Sequence, residues 1–563
     1  MRGTVRFIFE GKTFDGRYGE SIAAALISAG VIGFRETRAN ETRSIFCGMG
    51  VCQDCLIEVD GKPNQRACMT RLEGPVTVRR EVFARALPAV AAGEPPKLVD
   101  AIAEERLEVL VVGAGPAGLS AAIAAQRAGA RVTVVDDRTA PGGQYFKQVM
   151  VEGLDVARPD HQHKEGARLI ATARQAGVGI RSGVDVWGAF EAHELVGTEG
   201  GLVRCFNPQR LIVATGAYER GVPIPGWTLP GVMTTGAAQM LWRSYRRLAG
   251  KRILISGNGP LNLQVASELV AGGAEIAAVV EVAPVSPLKV FPHLLNMFVA
   301  SPRLVVDGLK HRARLARVRM IYGSVVNRID KARRGLVAHV SRCPPNGAGE
   351  RSFEVDAVCL GYGFEPSSEI LRALGCRQRF DAARSHFATV VDDEGRTSVP
   401  HVFSLGDCTG LGGARVALAQ GTIVGNAVAA DLGHTYAAAA GDVTQARRQL
   451  DRHRRFQQAL WRFYAATRLN LELATPDTIV CRCEEITFGQ IEAALVDGRP
   501  SIGELKRATR AGMGLCQGRY CGAILSQVLA KRQGRNLDED VRFAPRMPIK
   551  PVAIADIARW LEP

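Results

Sequence analysis

The chain has 563 residues, more than one hydrophobic core usually holds, so three or four domains are expected. Apolar residues make up 47% and charged residues 23%, close to the globular average, which excludes fibrous and low-complexity chains. The formal charge is +15, but Lys and Arg are interleaved with Asp and Glu and form no basic tail or aromatic stripe. No nucleic-acid partner is therefore expected, and an acidic partner or anionic cofactor phosphates fit the charge better.

Residues 1–83 read as a small α+β module, with strands at Thr4–Phe9, Cys55–Val59 and Val76–Arg79 around a helix near Ser21–Ala29. The opening MRGTVRFIFEGKTFDG alternates charged and apolar residues and lacks the apolar run of a secretory signal, so a cytoplasmic location is expected. The most apolar windows, Val109–Ala125 and Val416–Ala430, are broken by Gly and polar residues and fit buried strand–turn–helix units better than a bilayer span. No transmembrane segment is expected, and any membrane association would run through a partner or acceptor.

In a long cytoplasmic chain, 13 cysteines point to metal ligation or burial before disulfides, and their clustering separates those two. CGMGVCQDC followed by QRAC places Cys47, Cys52 and Cys55 at the C-x4-C-x2-C spacing of a plant-type [2Fe–2S] site, with Cys68 as the fourth ligand. Zinc sites rarely use that spacing. Cys205, Cys343, Cys359, Cys376 and Cys408 are scattered singly, so no dithiol relay is expected among them.

A Pro- and Ala-rich linker is expected over 84–106. From Leu107 to about Leu432, strand-length apolar runs alternate with helical ones, the pattern of parallel sheets wrapped by helices. LEVLVVGAGPAGLSAAIAAQRAGARVTVVDD puts Gly113, Gly115, Pro116, Ala117 and Gly118 between a strand and a helix. The glycines allow a tight turn, close approach to a pyrophosphate and close helix–strand packing, and Asp136, followed by Asp137, stands where a ribose-binding carboxylate is needed. A second fingerprint, RILISGNGPLNLQVASELVAGGAEIAAVVE, keeps Gly257 and Gly259 but has Asn262 in place of the third glycine. That side chain is expected to loosen helix–strand packing or re-aim the phosphate, while Glu281 is available to a ribose hydroxyl. Pyridine-nucleotide binding therefore stays open, with NAD(P) or ATP as the second nucleotide. The expected division is 107–234 with 340–435 for the first nucleotide domain, 235–339 for the inserted one, 436–475 for a helical connector, 476–540 for a second cysteine module and 541–563 for a tail. In that module CRC supplies Cys481 and Cys483, and CQGRYC supplies Cys516 and Cys521.

The first fingerprint is followed by PGGQ with Gly143 and Gln144, LIVATGAYER with Thr215 and Gly216, and VPHVFSLGDCTG with Gly406 and Asp407. This set resembles the two-dinucleotide-domain flavoprotein superfamily that includes thioredoxin reductase, which implies FAD and assigns Asp407 to the flavin's ribityl chain. The second cysteine set resembles the bacterioferritin-associated-ferredoxin-like (BFD-like) domain, whose later pair is C-x2-C where this chain has C-x4-C; a second [2Fe–2S] cluster is implied, with zinc as the alternative.

The whole order resembles a fusion of the two smaller components of hydrogen cyanide synthase and the alpha subunits of opine dehydrogenases, dye-linked proline dehydrogenases and heterotetrameric sarcosine oxidase. PGGQYFKQ, IPGWTLPGV and RAGMGLCQGRYC are its most specific stretches. The fold class implied is α/β: a two-dinucleotide-binding-domain flavoprotein of the glutathione/thioredoxin reductase type, with an N-terminal β-grasp ferredoxin-like domain and a small helical C-terminal BFD-like domain. The resemblance also implies one component of an oxidoreductase acting on CH–NH donors. An FAD-dependent, D-amino-acid-oxidase-like beta subunit would oxidise the amine and pass electrons to this chain for a quinone or another carrier, and several relatives hold FMN at the alpha–beta junction. The sarcosine oxidase module lacks the cluster cysteines that this chain keeps, so the dehydrogenase branch fits better. A stand-alone NAD(P)H-dependent reductase and a scaffold with redox-silent centres are the competing readings. No catalytic acid, base or nucleophile stands out; His293 and His401 lie near motif segments, but single histidines are more often structural.

Overall fold

Alternation in TVRFIF turns Val5, Phe7 and Phe9 to one face of strand Thr4–Phe9, and these three are buried while the residues between them are exposed. That strand pairs antiparallel with Lys12–Arg17 and parallel with Thr77–Val82, and the seven-stranded sheet so formed wraps the apolar helix Ile22–Ser28, capped by Ser21. This is the expected ferredoxin-like module. The computed structural model describes residues 3–82, 102–151, 160–284, 287–343, 349–434, 438–466, 468–495 and 501–561. Most of the expected linker lies outside the described residues. Its last part is the start of strand Ala103–Val112, which runs parallel to Leu202–Val213 from Ala103 onward.

The first nucleotide fold is a seven-stranded sheet. Gly179–Ser182, Val132–Asp136, Ala103–Val112 and Leu202–Val213 lie in parallel order, Val402–Ser404 pairs with Leu202–Val213, and Glu194–Glu199 and Val184–Glu191 continue the sheet antiparallel. The second is a five-stranded parallel sheet in the order Val232–Thr234, Ala357–Gly361, Arg252–Gly257, Glu275–Glu281, Met320–Tyr322. An antiparallel three-stranded sheet, Ser324–Lys331, Leu336–Arg342 and Arg351–Val355, accompanies it. The two folds are joined by one antiparallel pair, Ala217–Glu219 with Phe364–Pro366. The inserted unit is therefore wider than the expected 235–339. Val232–Thr234 and Ala357–Gly361 belong to its sheet, and the Gly/Pro runs Pro230-Gly231 and GYGFEP (361–366) mark the two crossings.

The N-terminal module does not stand apart. Its buried helix shares one apolar core with helix Thr235–Tyr245, through Ala24, Ala25, Ala237 and Leu241 among others, and Arg247 bonds the fully buried Glu20 at 3.0 Å. Helix Ala439–Phe463 is the connector, packed by Leu450 against Val416 and Ile423 and by Phe456 against Met297. In the C-terminal module, helices Phe488–Ala494 and Ile502–Thr509 each begin with a capping box, Thr487 with Gln490 and Ser501 with Glu504, and helix Gly522–Gln533 closes the core with Ile524 and Leu525. The tail returns to the first nucleotide fold, where Ile549 N–H donates to the Trp187 carbonyl at 2.9 Å and Trp560 stacks on Phe190 at 4.3 Å. Among the described residues no helix is long and apolar enough to cross a membrane.

Candidate functional site

The first fingerprint forms a tight strand-to-helix turn. Gly113 has φ +112°, and a Cβ on Gly118 would sit 1.9 Å from the Gly113 carbonyl oxygen, so only glycine lets helix Pro116–Arg127 approach that turn. Pro116 fills the first helical position, where a missing N–H costs nothing. The two carboxylates after strand Val132–Asp136 differ. Asp136 accepts from Ala114 N–H at 2.6 Å and Arg138 N–H at 2.9 Å, and burial, helped by neighbouring Asp137, pushes it up to about 6. Asp137 is held low, because Lys550, Arg138 and Arg66 outweigh the cost of its burial. Lys550 comes from the tail and bridges Asp137 at 3.1 Å and Asp185 at 2.7 Å.

A cavity of about 880 Å³ opens beside this turn. Of the expected residues, Gly113, Gly115, Pro116, Ala117, Asp136, Asp137, Gly143, Gln144, Thr215, Gly216 and Asp407 line it, whereas Gly118 and Gly406 lie behind the wall. Asp407 Oδ1 accepts from Gly412 and Gly413 N–H at 2.9 and 2.8 Å, and burial raises this carboxyl. Thr215 donates to the Ser367 carbonyl at 2.6 Å, Gly406 N–H donates to Gln420 at 3.0 Å, and the Gln144 amide oxygen faces the Arg138 guanidinium. The glycine cradle at a helix N-terminus, with Asp136 and Asp407 in the wall of a cavity of about 880 Å³, fits a dinucleotide the size of FAD.

The same cavity runs on to the second fingerprint, reaching Asn258, Gly259 and Pro260 at the start of helix Pro260–Ala271. Gly257, Asn262 and Glu281 do not line it. Asn262 does not loosen the packing as expected. It is buried, its Nδ2 donates to the Gly361 carbonyl at 3.0 Å, and Thr235 donates to its Oδ1 at 2.9 Å, so it staples helix to strand where a glycine would permit bare contact. Glu281 accepts from Gly259 N–H at 3.1 Å and Ala283 N–H at 3.2 Å, and burial pushes it up to about 8.

Two cavity residues were not singled out by sequence reasoning. Lys147 is buried and donates to Gln239 at 2.7 Å, and burial together with Arg138 and Arg243 lowers it to about 7. Glu219 accepts from Gly236 N–H with both oxygens, and burial raises it to about 7. Lys147 lies inside the motif stretch PGGQYFKQ and Glu219 inside LIVATGAYER, and that membership was the available signal for both.

The first four cysteines are all buried. Burial alone would push the Cys47 thiol up, but bonds from the Cys52 thiol and from the N–H groups of Met49, Cys52 and Val51 outweigh it and bring Cys47 to about 6. Cys55 interacts with Cys68, and this contact with burial raises the Cys68 thiol. The second set lies in a row: Cys521 and Cys481 at 3.8 Å, Cys481 and Cys483 at 4.0 Å, Cys483 and Cys516 at 3.6 Å. Among the described residues no group of three or more His, Cys, Asp or Glu is arranged around a single ion.

Three family patterns match the chain: pyridine nucleotide-disulphide oxidoreductase over 107–421, 2Fe-2S iron-sulfur cluster binding domain over 2–82, and BFD-like [2Fe-2S] binding domain over 479–531. One of the subunits of opine oxidase from Agrobacterium tumefaciens (strain Ach5) is 33% identical over 470 residues, 80% of this chain and 91% of that protein. The chain belongs to the pyridine nucleotide-disulphide oxidoreductase family, in the branch that holds this opine oxidase component. Hydrogen cyanide synthase subunit HcnB of Pseudomonas aeruginosa, 31% identical over 79% of this chain and 97% of its own length, stands in the same branch. The alpha subunit of sarcosine oxidase from Corynebacterium sp. (strain P-1) is 25% identical over 98% of this chain and 55% of its length. In fold, this oxidoreductase matches the crystal structure of L-proline dehydrogenase from P. horikoshii with a TM-score of 0.72 and 18% identity, covering 99% and 98% of the two chains. The pyridine nucleotide-disulphide oxidoreductase is thus an FAD/iron–sulfur oxidoreductase with a [2Fe–2S] module at each end.

Proposed function

We propose that this chain is the electron-transferring subunit of a heteromeric amine or amino-acid dehydrogenase. In this reading a separate flavoprotein subunit oxidises a glycine-, opine-, sarcosine- or proline-type substrate, and the present chain takes the electrons through FAD and two [2Fe–2S] clusters to a quinone or another carrier. The observation that carries it is the single cavity lined both by the FAD cradle and by Met49, Gly50, Val51 and Gln53 of the first cysteine loop, which sets a two-electron centre against a one-electron centre.

In this assignment Gly113, Gly115 and the N-terminus of helix Pro116–Arg127 receive the pyrophosphate, Asp136 a ribose and Asp407 the ribityl chain, while Gly143, Gln144, Thr215 and Gly216 line the flavin's path. Cys47, Cys52, Cys55 and Cys68 hold one cluster, and Cys481, Cys483, Cys516 and Cys521 the other. When bound, FAD supplies acceptance of two electrons and their release one at a time. Around it the chain's own residues exclude water and fix charge: Lys147 and Glu219 place a cation and a carboxyl in the cavity wall. The extension toward Gly259 is offered to a second nucleotide, NAD(P) or ATP. An FMN site, if the family's junction is kept, would need residues of the partner as well.

The test is reduction of the flavin in anaerobically purified protein. The proposal expects no bleaching of the visible flavin band by NADH or NADPH, and bleaching when an amine-oxidising partner and its substrate are supplied. Rapid bleaching by NADH alone would instead make the chain a stand-alone reductase, the reading favoured by the cavity's continuity with the second fingerprint.

A further inference from the structure

The two sets of cysteines meet through one buried ion pair. Arg482 stands between Cys481 and Cys483, and Asp54 between Cys52 and Cys55. Arg482 Nε donates to Asp54 Oδ2 at 2.7 Å, and its Nη2 lies 2.6 Å from the same oxygen. Asp54 is fully buried and Arg482 only 5% exposed. The guanidinium is also held by rings. It lies 3.8 Å from the centre of Phe46, next to Cys47, and 4.6 Å from that of Trp227, and its Nη1 donates to the Trp227 carbonyl at 2.7 Å. Phe46 in turn meets Tyr520, next to Cys521, edge-on at 5.3 Å. One loop outward, Arg43 pairs with Glu485 at 3.0 Å.

A buried ion pair is weak as a source of stability, because desolvation offsets most of the attraction; its best-attested use is to fix one register. Here the register fixed is that of one cysteine loop against the other. The surroundings of the two loops differ. The cysteines of the first are all buried and its loop lines the flavin cavity, whereas the second carries Met513, 38% exposed, and Gln517 at the surface, with Cys483 only partly buried. Arg519 of the second loop also reaches the cavity, held by Glu369 at 3.1 Å, so a direct step from flavin to the second cluster is the rival order.

We propose that electrons cross this chain in the order FAD, N-terminal cluster, C-terminal cluster, and leave to a one-electron carrier at the Met513–Gln517 surface, with Arg482 and Asp54 as the positioning pair for the step between clusters. The inference rests on the electron-transfer function proposed above. The balance is simple: reduced FAD, as the anionic hydroquinone, gives up two electrons and one proton, which goes to solvent, each cluster gains and loses one electron per passage, and two equivalents of the carrier are reduced. No bond to the protein forms or breaks.

The test uses the intact holoprotein, with FAD reduced anaerobically by light and the clusters followed by freeze-quench electron paramagnetic resonance. The signal of the N-terminal cluster is expected to rise first and that of the C-terminal cluster second. In Arg482→Met the second rise is expected to slow several-fold with flavin, iron and sulfide contents unchanged, and Arg482→Lys is expected to recover part of the rate. Asp54→Asn provides the same comparison from the other side. In a Cys47→Ser, Cys52→Ser chain without the first cluster, the second is expected to stay oxidised. Filling of the second cluster at the wild-type rate in that chain overturns the order of centres, and the same rate in Arg482→Met overturns the positioning role of the pair; either leaves the proposed function standing. Failure of reduced flavin to fill either cluster in the wild type overturns the proposed function itself.

Discussion

Asn262 and Gly361 are matched across the second nucleotide fold: the Asn262 Nδ2 donates to the Gly361 carbonyl at 3.0 Å, and a Cβ on Gly361 would fall 2.0 Å from Asn262 Oδ1. The glycine missing from the helix has in effect been moved to the facing strand. Asn262→Gly removes two buried bonds: the Gly361 carbonyl keeps its Asn258 N–H donor, but the fully buried Thr235 hydroxyl loses its acceptor, a loss of about 1–3 kcal/mol. The midpoint of urea unfolding for the inserted domain should fall, and NADH should gain no affinity because Asn262 does not line the cavity. An unchanged midpoint would mean that the contact contributes nothing.

Glu281 gives a pH dependence whose sign follows from its burial. Its carboxyl is pushed from 4.5 up to about 8, so the folded chain binds a proton that the unfolded chain has already released. The stability associated with the neutral form is fully present below about pH 4.5 and is lost as pH rises through about 8, by an amount on the order of a few kcal/mol. Glu281→Gln should flatten this slope, measured as urea midpoints from pH 5 to 9. If the slope survives the substitution, another group is responsible.

The parts of the site that were legible in the sequence are local. The glycines of the first turn, Asp407 beside Gly406, and the cysteine spacings each need only neighbours within one strand–turn–helix or one loop; Gly113, Gly115 and Asp407 line one cavity. What was not legible joins distant segments. Arg482 and Asp54 are 428 residues apart, and Lys550 lies 413 residues from Asp137. Neither pair leaves a periodic or compositional trace, because an Arg between two cysteines reads equally well as a solvated charge. Glu219 was missed for a similar reason. Its role comes from a helix N-terminus that only the folded chain places against it, through Gly236 N–H. The second sheet's extension to Gly361 was missed because VDAVCLG reads as one more apolar strand of either fold.

Asp407 tests the FAD assignment. One carboxylate oxygen already bonds Gly412 and Gly413 N–H, and the residue also lines the cavity. Asp407→Ala should purify with less FAD per chain than the wild type while keeping its iron, read from the visible spectrum and metal analysis. Retention of the full flavin complement would remove Asp407 from the flavin site.

Cys516 separates the two metal readings of the C-terminal module. Its sulfur is buried and lies 3.6 Å from that of Cys483, so Cys516→Ser withdraws one thiolate from the set of four. A serine hydroxyl is a poorer ligand for iron and sulfide chemistry than a thiolate. If the module holds [2Fe–2S], the iron content should fall by about half and one of two paramagnetic signals should vanish, with FAD and the N-terminal cluster intact. If it holds zinc, iron stays at its wild-type level while zinc falls. The same substitution carries a functional consequence for the proposed route, because flavin reduction by the partner should continue while reduction of a one-electron acceptor stops.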